Sequence, residues 1–402
     1  MAHRQAGTTD LVPASYRQPV EQYVSPSRAA AERDRLFRAT PVLACLTADL
    51  ANPGDYLTLT VGDIPVVLTR ASDGVVRAFR NVCRHRGAQV ASGRGSAGKV
   101  LTCPYHNWSY RLDGSLAAVT SRQGFDDVDK SCMGLSPVVA AEAHGMVFVR
   151  LEGSEPIDVE SWLGGIQEEL SGFGLERYHH VETRSNARRI NWKLTFDTFC
   201  EVYHIQALHR ATIAPLIMSS ATLFDAYGPH CRVLAPRWSI DELDEKPRES
   251  WDLLSHATLI YLMAPNSVFV YQQDHAELWQ IFPTEDPDHS TMLIHLYAPE
   301  EPTTEKARTY WRKNMDLLMQ VTDTEDFIMC EQIQSSFKSG AQESIVFGRN
   351  EPGLIHYHRS LDQLLAGETP GKAPDESPAP GETVLQAADR SSTTDHALVA
   401  GS

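Results

Sequence analysis

Two short motifs in this chain mix a cysteine with a histidine, Cys83-Arg-His85 and Cys103-Pro-Tyr-His106, with seventeen residues between them. Thiolates and imidazoles both bind iron, and two such pairs can hold one two-iron cluster between two loops. The thiolates would ligate one iron and the imidazoles the other, as in a Rieske 2Fe-2S centre, and the neutral imidazoles would raise its reduction potential. The pattern therefore predicts electron transfer at a 2Fe-2S cluster held by Cys83, His85, Cys103 and His106.

A structural zinc site is the main alternative for these four residues. Zinc sites with two cysteines and two histidines usually open with Cys-x2–4-Cys and close with His-x3–5-His. Here each motif mixes the two residue types, which favours the iron cluster.

A second group of metal-binding residue types follows in Glu201-Val-Tyr-His204-Ile-Gln-Ala-Leu-His209. Glu201 and His204 are three residues apart and would share a helix face. His204 and His209 are five apart, which on an ideal helix separates them by about 140°. The two imidazoles can reach one ion only if the helix ends, widens or bulges between them. Two histidines and a carboxylate are the ligand set of non-haem Fe(II) oxygenases, so the segment predicts a mononuclear iron site.

The third ligand has to come from elsewhere in the chain. Asp326 is the best candidate, because it stands where a charged stretch turns apolar, and Asp323 and Glu325 are rivals for the same role. The local pattern does not decide among the three.

These residues require two kinds of structure to position them. A helix is predicted over 25–40, and short alternating strands broken by Gly-Asp and Asp-Gly turns follow to about residue 152. From about 155 the pattern is α+β, with helical stretches at 158–173, 191–210 and 304–334. The sequence predicts an α+β protein with the Cys-His motifs on loops of an all-β domain.

The predicted organisation has four parts. Residues 1–40 form an N-terminal lead and helix, 41–155 the 2Fe-2S domain, and 156–365 the domain of the mononuclear iron. Residues 366–402 are rich in Gly, Pro, Glu, Ser and Thr and are predicted to be disordered.

Composition excludes several partners. The formal net charge of −16 argues against nucleic acid and anionic membranes, and no apolar run is long enough to span a bilayer. The opening residues lack the apolar core of a signal peptide, and the remaining five cysteines are scattered singly. We expect a cytoplasmic protein.

The motifs together resemble those of the oxygenase (α) subunits of Rieske non-haem iron oxygenases, the ring-hydroxylating dioxygenase and demethylase group. The resemblance spans about residues 20–365 and rests on Cys83-Arg-His85-Arg-Gly87, Cys103-Pro-Tyr-His106 with Trp108, Asn191-Trp-Lys193, and Glu201-x2-His204-x4-His209. It implies a Rieske β domain followed by a helix-grip domain, an antiparallel sheet around a long helix. Asn107 stands where the family often has Gly, and Thr198 where Asn is frequent.

The resemblance also implies roles. His204, His209 and Asp326 are expected to bind the mononuclear iron, since Asp326 precedes Glu331 by five residues as in the family's Asp-x4-Glu. Glu201 is expected to bridge this iron site to a Rieske histidine of a neighbouring subunit in a head-to-tail homotrimer.

By the same resemblance, electrons come from NAD(P)H through a separate reductase, with or without a ferredoxin, and the iron site activates O2. The expected substrate is an aromatic or related cyclic compound. The alternative is N- or O-demethylation of a quaternary ammonium or methylated compound, and a non-catalytic electron carrier is disfavoured by the large second domain. Six aromatic residues are candidates for the pocket wall: Phe224, Tyr227, Trp238, Tyr261, Phe269 and Trp279.

Overall fold

The structure is a computed structural model that describes residues 1–368 and residue 370. The predicted disordered tail, residues 366–402, lies outside the described residues apart from its first positions. No helix in the described part of the chain is long and apolar enough to cross a membrane.

Nineteen strands and ten α-helices make up the regular structure of the described residues. The strands are β1 (Tyr16–Pro19), β2 (Val42–Leu46), β3 (Asp55–Val61), β4 (Ile64–Arg70), β5 (Val76–Arg80), β6 (Arg94–Ser96), β7 (Val100–Thr102), β8 (Ser109–Arg111), β9 (Leu116–Ala118), β10 (Pro137–Ala143), β11 (Met146–Arg150), β12 (His179–Arg188), β13 (Leu223–Tyr227), β14 (His230–Pro236), β15 (Ala257–Met263), β16 (Ser267–Gln272), β17 (His275–Pro283), β18 (Ser290–Ala298) and β19 (Ser344–Phe347). The helices are α1 (Ala2–Ala6), α2 (Glu21–Val24), α3 (Pro26–Glu32), α4 (Val159–Leu163), α5 (Gln167–Gly172), α6 (Trp192–Asp197), α7 (Ile205–Leu208), α8 (Glu305–Val321), α9 (Phe327–Phe337) and α10 (Pro352–Ala366).

The chain divides into two compact units, each built from discontinuous segments. One comprises Glu32–Trp162 and Leu170–His180. The other comprises Met1–Ala31, Leu163–Glu169 and the chain from Val181 onward.

The first unit is the all-β one that the turn pattern predicts. A seven-stranded sheet has the order β2-β11-β10-β5-β4-β3-β6, and a three-stranded sheet has the order β7-β8-β9. The two-residue hairpin between β3 and β4 consists of Gly62 and Asp63, both at positive φ, as a tight hairpin turn requires. The Cys-His motifs lie in the loops after β5 and after β7.

The second unit is built around a seven-stranded sheet with the order β12-β18-β17-β16-β15-β14-β13. Its pairs from β13 to β18 are antiparallel and in continuous register. The strands β14 to β18 are largely buried, whereas β12 and β13 are not, and α6 and α10 contact strands of this sheet. This is the α+β architecture expected from the sequence.

Three helical stretches are interrupted where the sequence predicts one element. The 158–173 stretch is α4 and α5, separated by Gly164 and Gly165 at positive φ. The 191–210 stretch is α6 and the short α7, and the 304–334 stretch is α8 and α9 joined by a π-helical turn, Thr322–Asp326. Two of these interruptions carry metal-binding residue types.

Candidate active site and its metal centres

The two Cys-His motifs form turns with the same backbone hydrogen bonds. The N–H of Gly87 donates to the carbonyl of Cys83 (2.9 Å), and the N–H of Asn107 donates to the carbonyl of Cys103 (3.0 Å). Each cysteine N–H then donates to the carbonyl of the residue five positions later, at 2.7 and 2.9 Å. Gly87 and Asn107 both have positive φ, 83° and 57°, so Asn107 occupies the left-handed conformation that Asn tolerates. The two Cys-His motifs therefore have the same backbone conformation, and each carries one cysteine and one histidine.

The side chains of these turns fit a 2Fe-2S cluster. Both cysteine side chains are buried and unpaired in any disulfide, and the rings of His85 and His106 lie 4.6 Å apart between centroids. The Nδ1 atom of His85 is buried without a hydrogen-bond partner, which is costly unless a ligand occupies it. Trp108 stacks on the His85 ring at 4.9 Å and fixes its plane. A cluster puts its thiolates and imidazoles on different irons, so the four side chains need not converge on one point.

Tyr110 adds a contact that the sequence pattern did not indicate. Its hydroxyl accepts a hydrogen bond from the N–H of Arg84 (2.9 Å) and lies 3.3 Å from the sulfur of Cys83, to which it can donate. Hydrogen bonds to cluster sulfur ligands are among the factors that set the reduction potential.

The second site brings together His204, His209 and Asp326. One ligand atom from each lies within 4.8 Å of the others. The Oδ1 atom of Asp326 is 3.1 Å from Nε2 of His209 and 3.6 Å from Nε2 of His204. Two imidazole nitrogens and one carboxylate oxygen that bind one face of an ion are the donor set of a non-haem Fe(II) centre with open positions.

Irregular backbone makes this convergence possible. The helix α6 ends at Asp197, and α7 begins only at Ile205, directly after His204. His204 and His209 thus flank the single helical turn α7, and His209 already has a non-helical backbone conformation. Asp326 closes the π-helical turn between α8 and α9, a distortion that often occurs at functional sites.

Two further carboxylates orient the imidazole rings. Oε1 of Glu201 accepts a hydrogen bond from Nδ1 of His204 (2.5 Å), and its Oε2 accepts from the backbone N–H of the same residue (3.1 Å). Oε2 of Glu325 accepts from Nδ1 of His209 (2.5 Å) and from the hydroxyl of Thr212 (2.8 Å). With Nδ1 of each ring bound to its own carboxylate, Nε2 of each ring faces Asp326 and is available to a metal ion.

The charge around His209 affects its protonation. Burial lowers its pKa, but the hydrogen bonds and charges of Asp326 and Glu325 outweigh burial and the net pKa is raised. A metal ion competes with this proton for the same Nε2 atom, so the carboxylates that favour the imidazolium also favour a bound cation.

The structure separates the three carboxylates that the local sequence pattern leaves as rivals, and it agrees with the choice of Asp326 that the resemblance implies. Asp323 accepts hydrogen bonds from Arg188 and Asn186, both at 2.6 Å. Glu325 contacts the Nδ1 side of His209, away from Nε2. Asp326 alone of the three joins the cluster with both histidines.

One face of the seven-stranded sheet is directed at this site. We call it the inner face; it carries Val233, Val270, Glu277 and Trp279. Trp279 packs against Phe199, two residues before Glu201, at 5.0 Å between ring centroids. Val233 lines a small crevice together with Glu201 and its neighbours.

The candidate wall residues divide between the faces of the sheet. Phe224 pairs with Val233 and lies on the inner face with Trp279. Tyr227, Tyr261 and Phe269 lie on the opposite face, where the hydroxyls of Tyr227 and Tyr261 donate to Glu169, and Trp238 is 46% exposed. Tyr227, Tyr261 and Phe269 therefore do not line the inner face, because side chains alternate along a strand and composition does not reveal which face is covered.

Comparison with known proteins agrees with this arrangement of sites. Residues 40–129 match the family model described as Rieske [2Fe-2S] domain, and residues 175–367 match the one described as Ring hydroxylating alpha subunit (catalytic domain). The chain belongs to the oxygenase α subunits of the Rieske non-haem iron family. Its cofactors are a 2Fe-2S cluster and a mononuclear iron, and its electrons come indirectly from NAD(P)H.

Relatives of this Rieske oxygenase subunit extend over most of its length. It is 26% identical over 371 residues to the carnitine monooxygenase oxygenase subunit of Escherichia coli (strain K12), covering 86% of this chain and 93% of that protein. It is 32% identical over 200 residues to the glycine betaine monooxygenase oxygenase subunit of Chromohalobacter salexigens, covering 50% of this chain and 44% of that protein. It is 26% identical over 356 residues to the chloroplastic choline monooxygenase of Spinacia oleracea, covering 86% and 78%.

Solved structures show the same fold. The quaternary ammonium Rieske monooxygenase CntA superposes with a TM-score of 0.76 at 23% identity, covering 89% of this chain and 99% of that one. A naphthalene 1,2-dioxygenase superposes with a TM-score of 0.68 at 16% identity, covering 89% and 94%. The α+β fold with a Rieske domain and a helix-grip catalytic domain, expected from the sequence, is confirmed. The chain is an oxidoreductase and, as an oxygenase subunit of a multicomponent system, requires a reductase.

Proposed function

We propose that this oxygenase oxidises a carbon attached to the nitrogen of a quaternary ammonium compound. This is the alternative of the sequence analysis rather than its first expectation, an aromatic substrate. The carnitine, glycine betaine and choline monooxygenases among its relatives support the substrate class. The inner face of the sheet supports it independently.

The observation that carries the proposal is a carboxylate in the middle of that face. One row across the sheet consists of Phe224, Val233, Ile260, Val270, Glu277 and Leu296, five apolar side chains and one acid. Oε1 of Glu277 lies 3.4 Å from Nε2 of His275, so this carboxylate already has a partner on the same face. Its negative charge also attracts a quaternary ammonium ion, whereas an aromatic hydrocarbon gains nothing from it.

The ring beside this carboxylate suits the same ligand. The indole N–H of Trp279 donates to Oε2 of Glu277 (2.9 Å), and the ring packs against Phe199. A quaternary nitrogen has no N–H to donate and is recognised by aromatic faces and by negative charge nearby. Glu277 and Trp279 together present both.

The ligand roles in this proposal follow the geometry of the two sites. Cys83, His85, Cys103 and His106 hold the 2Fe-2S cluster. His204, His209 and Asp326 hold the mononuclear iron, whose chemistry is the activation of O2. Glu201 orients His204 and carries the contact to the cluster of the next subunit.

The proposed reaction balances as a monooxygenation. One atom of O2 enters a C–H bond of the carbon on the quaternary nitrogen, and the other atom leaves as water. Two electrons from NAD(P)H, delivered through the reductase, and two protons complete this step. The hydroxylated carbon then leaves as an aldehyde with release of one proton, so that the C–N bond breaks and a tertiary amine remains.

We further propose a head-to-tail homotrimer in which the cluster of one subunit serves the iron of the next. Tyr105, beside His106, is 56% exposed, and Tyr203, beside His204, is 69% exposed. Two large exposed rings adjoining the two metal sites are typical of interface residues. The electron donor is a separate reductase, with or without a ferredoxin.

Turnover by the purified holoenzyme with a surrogate reductase and NADH tests the function. We expect O2 uptake and aldehyde release with L-carnitine, γ-butyrobetaine, glycine betaine or choline, at one NADH per aldehyde. Naphthalene and benzoate should give no product. Oxidation of the aromatic compounds alone would overturn the proposal.

A further inference from the structure

Arg237 extends the inner face beyond the end of β14. Its backbone is extended (φ −87°, ψ 153°), so its side chain lies on the same face as Val233 and Ala235. Its N–H donates to the carbonyl of His256 (2.9 Å), which continues the sheet by one residue.

The segment that carries the two histidines connects the crevice beside Glu201 to Arg237. It begins at Cys200, which lines that crevice with Val233, and ends in a backbone bridge between Ile217 and Arg237. Gln206, between the two histidines, donates to the carbonyl of Ile217 (3.3 Å). The segment that contains both metal-binding histidines therefore contacts β14 and its extension twice, first near Val233 and then at Arg237.

The guanidinium of Arg237 is hydrogen-bonded to an uncharged side chain and not to a carboxylate of the described residues. Its Nη2 donates to Oε1 of Gln272 (2.7 Å), and its Nε is buried without a partner. Among the described residues no carboxylate forms an ion pair with it, whereas Arg232 on the opposite face pairs with both Glu169 and Asp225. Burial lowers the pKa of Arg237, and the charge of Asp274 partly offsets this effect. A half-buried cation without a counter-ion is a site for an anion.

Neighbouring polar side chains fix the amide that holds Arg237. The side-chain N–H of Gln272 donates to Oε1 of Glu277 (3.5 Å), and the hydroxyl of Thr258 lies 3.4 Å from its Oε1. Arg237 and Glu277 are thus joined through one glutamine, with opposite charges at its two ends.

We propose that Arg237 binds the carboxylate of the substrate, and that the substrate is therefore a zwitterion with a quaternary ammonium group at one end and a carboxylate at the other. This inference rests on the proposed function and narrows it. Glu277 and Trp279 receive the ammonium end, and Arg237, presented by Gln272, receives the carboxylate. Arg237 and Glu277 both contact the side-chain amide of Gln272, so the two charged ends of the site are close enough for a substrate of a few carbon atoms.

The test compares substrates with and without the carboxylate in the wild-type holoenzyme and in Arg237→Gln. The probes are glycine betaine, γ-butyrobetaine and L-carnitine, each against its methyl ester, with choline as a further carboxylate-free compound. Aldehyde release gives kcat and KM, and anaerobic calorimetry gives the dissociation constants. Arg237→Gln removes a charge-assisted hydrogen bond to the substrate carboxylate. Its loss should raise KM and Kd about 30-fold for the probes that carry a carboxylate. The methyl esters and choline should be nearly unaffected.

Two further variants keep the test independent of folding. Gln272→Glu retains Arg237 but supplies an internal counter-ion, and should weaken binding of the carboxylate probes alone. Arg308→Gln, in an exposed i,i+3 pair at the start of α8, is the matched control and should behave as wild type.

The outcomes separate the two proposals. If the wild type oxidises quaternary ammonium compounds but prefers esters or choline, or if Arg237→Gln weakens all probes equally, the role of Arg237 is overturned and the proposed function stands. If the wild type neither binds nor oxidises any of the probes, the proposed function falls and this inference falls with it.

Discussion

The two metal centres of this protein are assembled in opposite ways. The Cys-His turns close on themselves through backbone hydrogen bonds that span four and five residues, from Cys83 and from Cys103. The mononuclear site joins His209 to Asp326, which are 117 residues apart. The first type of site depends on local turn geometry, and the second depends on the packing of the segment around the histidines against the helices α8 and α9.

The comparison extends to the residues around the ligands. At the cluster, Trp108 and Tyr110 come from the same loop and its following strand. At the iron site, Glu201 is local to His204, whereas Glu325 reaches His209 from the other segment. Disturbing the iron site should therefore leave the cluster intact.

The largest expected effect is loss of the iron without loss of the cluster. His204→Ala removes one of three ligands, so the mononuclear iron should be lost and aldehyde release should fall at least about 1,000-fold, a limit set by the role of iron in O2 activation. Iron analysis and the absorption and EPR spectra of the reduced cluster provide the measurement. The exposed His289→Ala is the control. Turnover retained by His204→Ala would contradict the ligand assignment.

The next effect should appear with both metals present. Glu201→Gln keeps the size of the side chain but weakens its bond to Nδ1 of His204 and removes the charge proposed to link two subunits. Steady-state turnover should fall about 100-fold, the upper end for outer-shell partners of metal-binding histidines. Hydrogen peroxide supplies oxygen and two electrons together, so peroxide-driven product formation should persist. Equal loss in both assays would assign Glu201 to the iron site alone.

Glu325 should have a smaller effect, confined to the iron. In Glu325→Gln, His209 loses a charged acceptor while Nε2 remains available, so iron affinity should fall about tenfold. Chelator competition measures the affinity, and the cluster potential should stay unchanged. Glu305→Gln, at the exposed start of α8, is the matched control. A change in the reduction potential of the 2Fe-2S cluster in this variant would contradict the independence of the two metal sites.

The smallest effect concerns acid stability of the unit that holds the iron site. Burial lowers the pKa of His356 to about 4, and its Nε2 donates to the carbonyl of His230. The unfolded chain therefore takes up this proton at a higher pH than the folded one, near 6.5. The stabilising contribution is complete above that pH and is lost as the pH falls towards 4, by about 3 kcal/mol at most. Thermal unfolding of His356→Gln should depend less on pH over this interval than unfolding of the wild type does.

Particular residues show how far sequence reasoning reached. Spacing alone predicts Cys83, His85, Cys103 and His106 as cluster ligands, because a turn of this kind is encoded within a few residues. The five-residue spacing predicts that the helix ends, widens or bulges between the two histidines, and α7 does end at Leu208, directly before His209. The local pattern does not separate Asp326 from Asp323 and Glu325, and only the family resemblance selects Asp326. The physical reason is that the carboxylate that turns inward is decided by the π-helical turn Thr322–Asp326.

The sequence by itself determined the chemistry: the donor types, their spacing and the two-domain α+β architecture are local properties of the chain. Tertiary structure decided which groups meet. It placed Glu325 on His209, turned Tyr261 and Phe269 away from the inner face, and left Arg237 on that face without an ion pair to any carboxylate in the described part of the chain. The physical reason is that alternation along a strand and hydrogen bonds between distant segments are set by packing, which no single stretch of sequence contains.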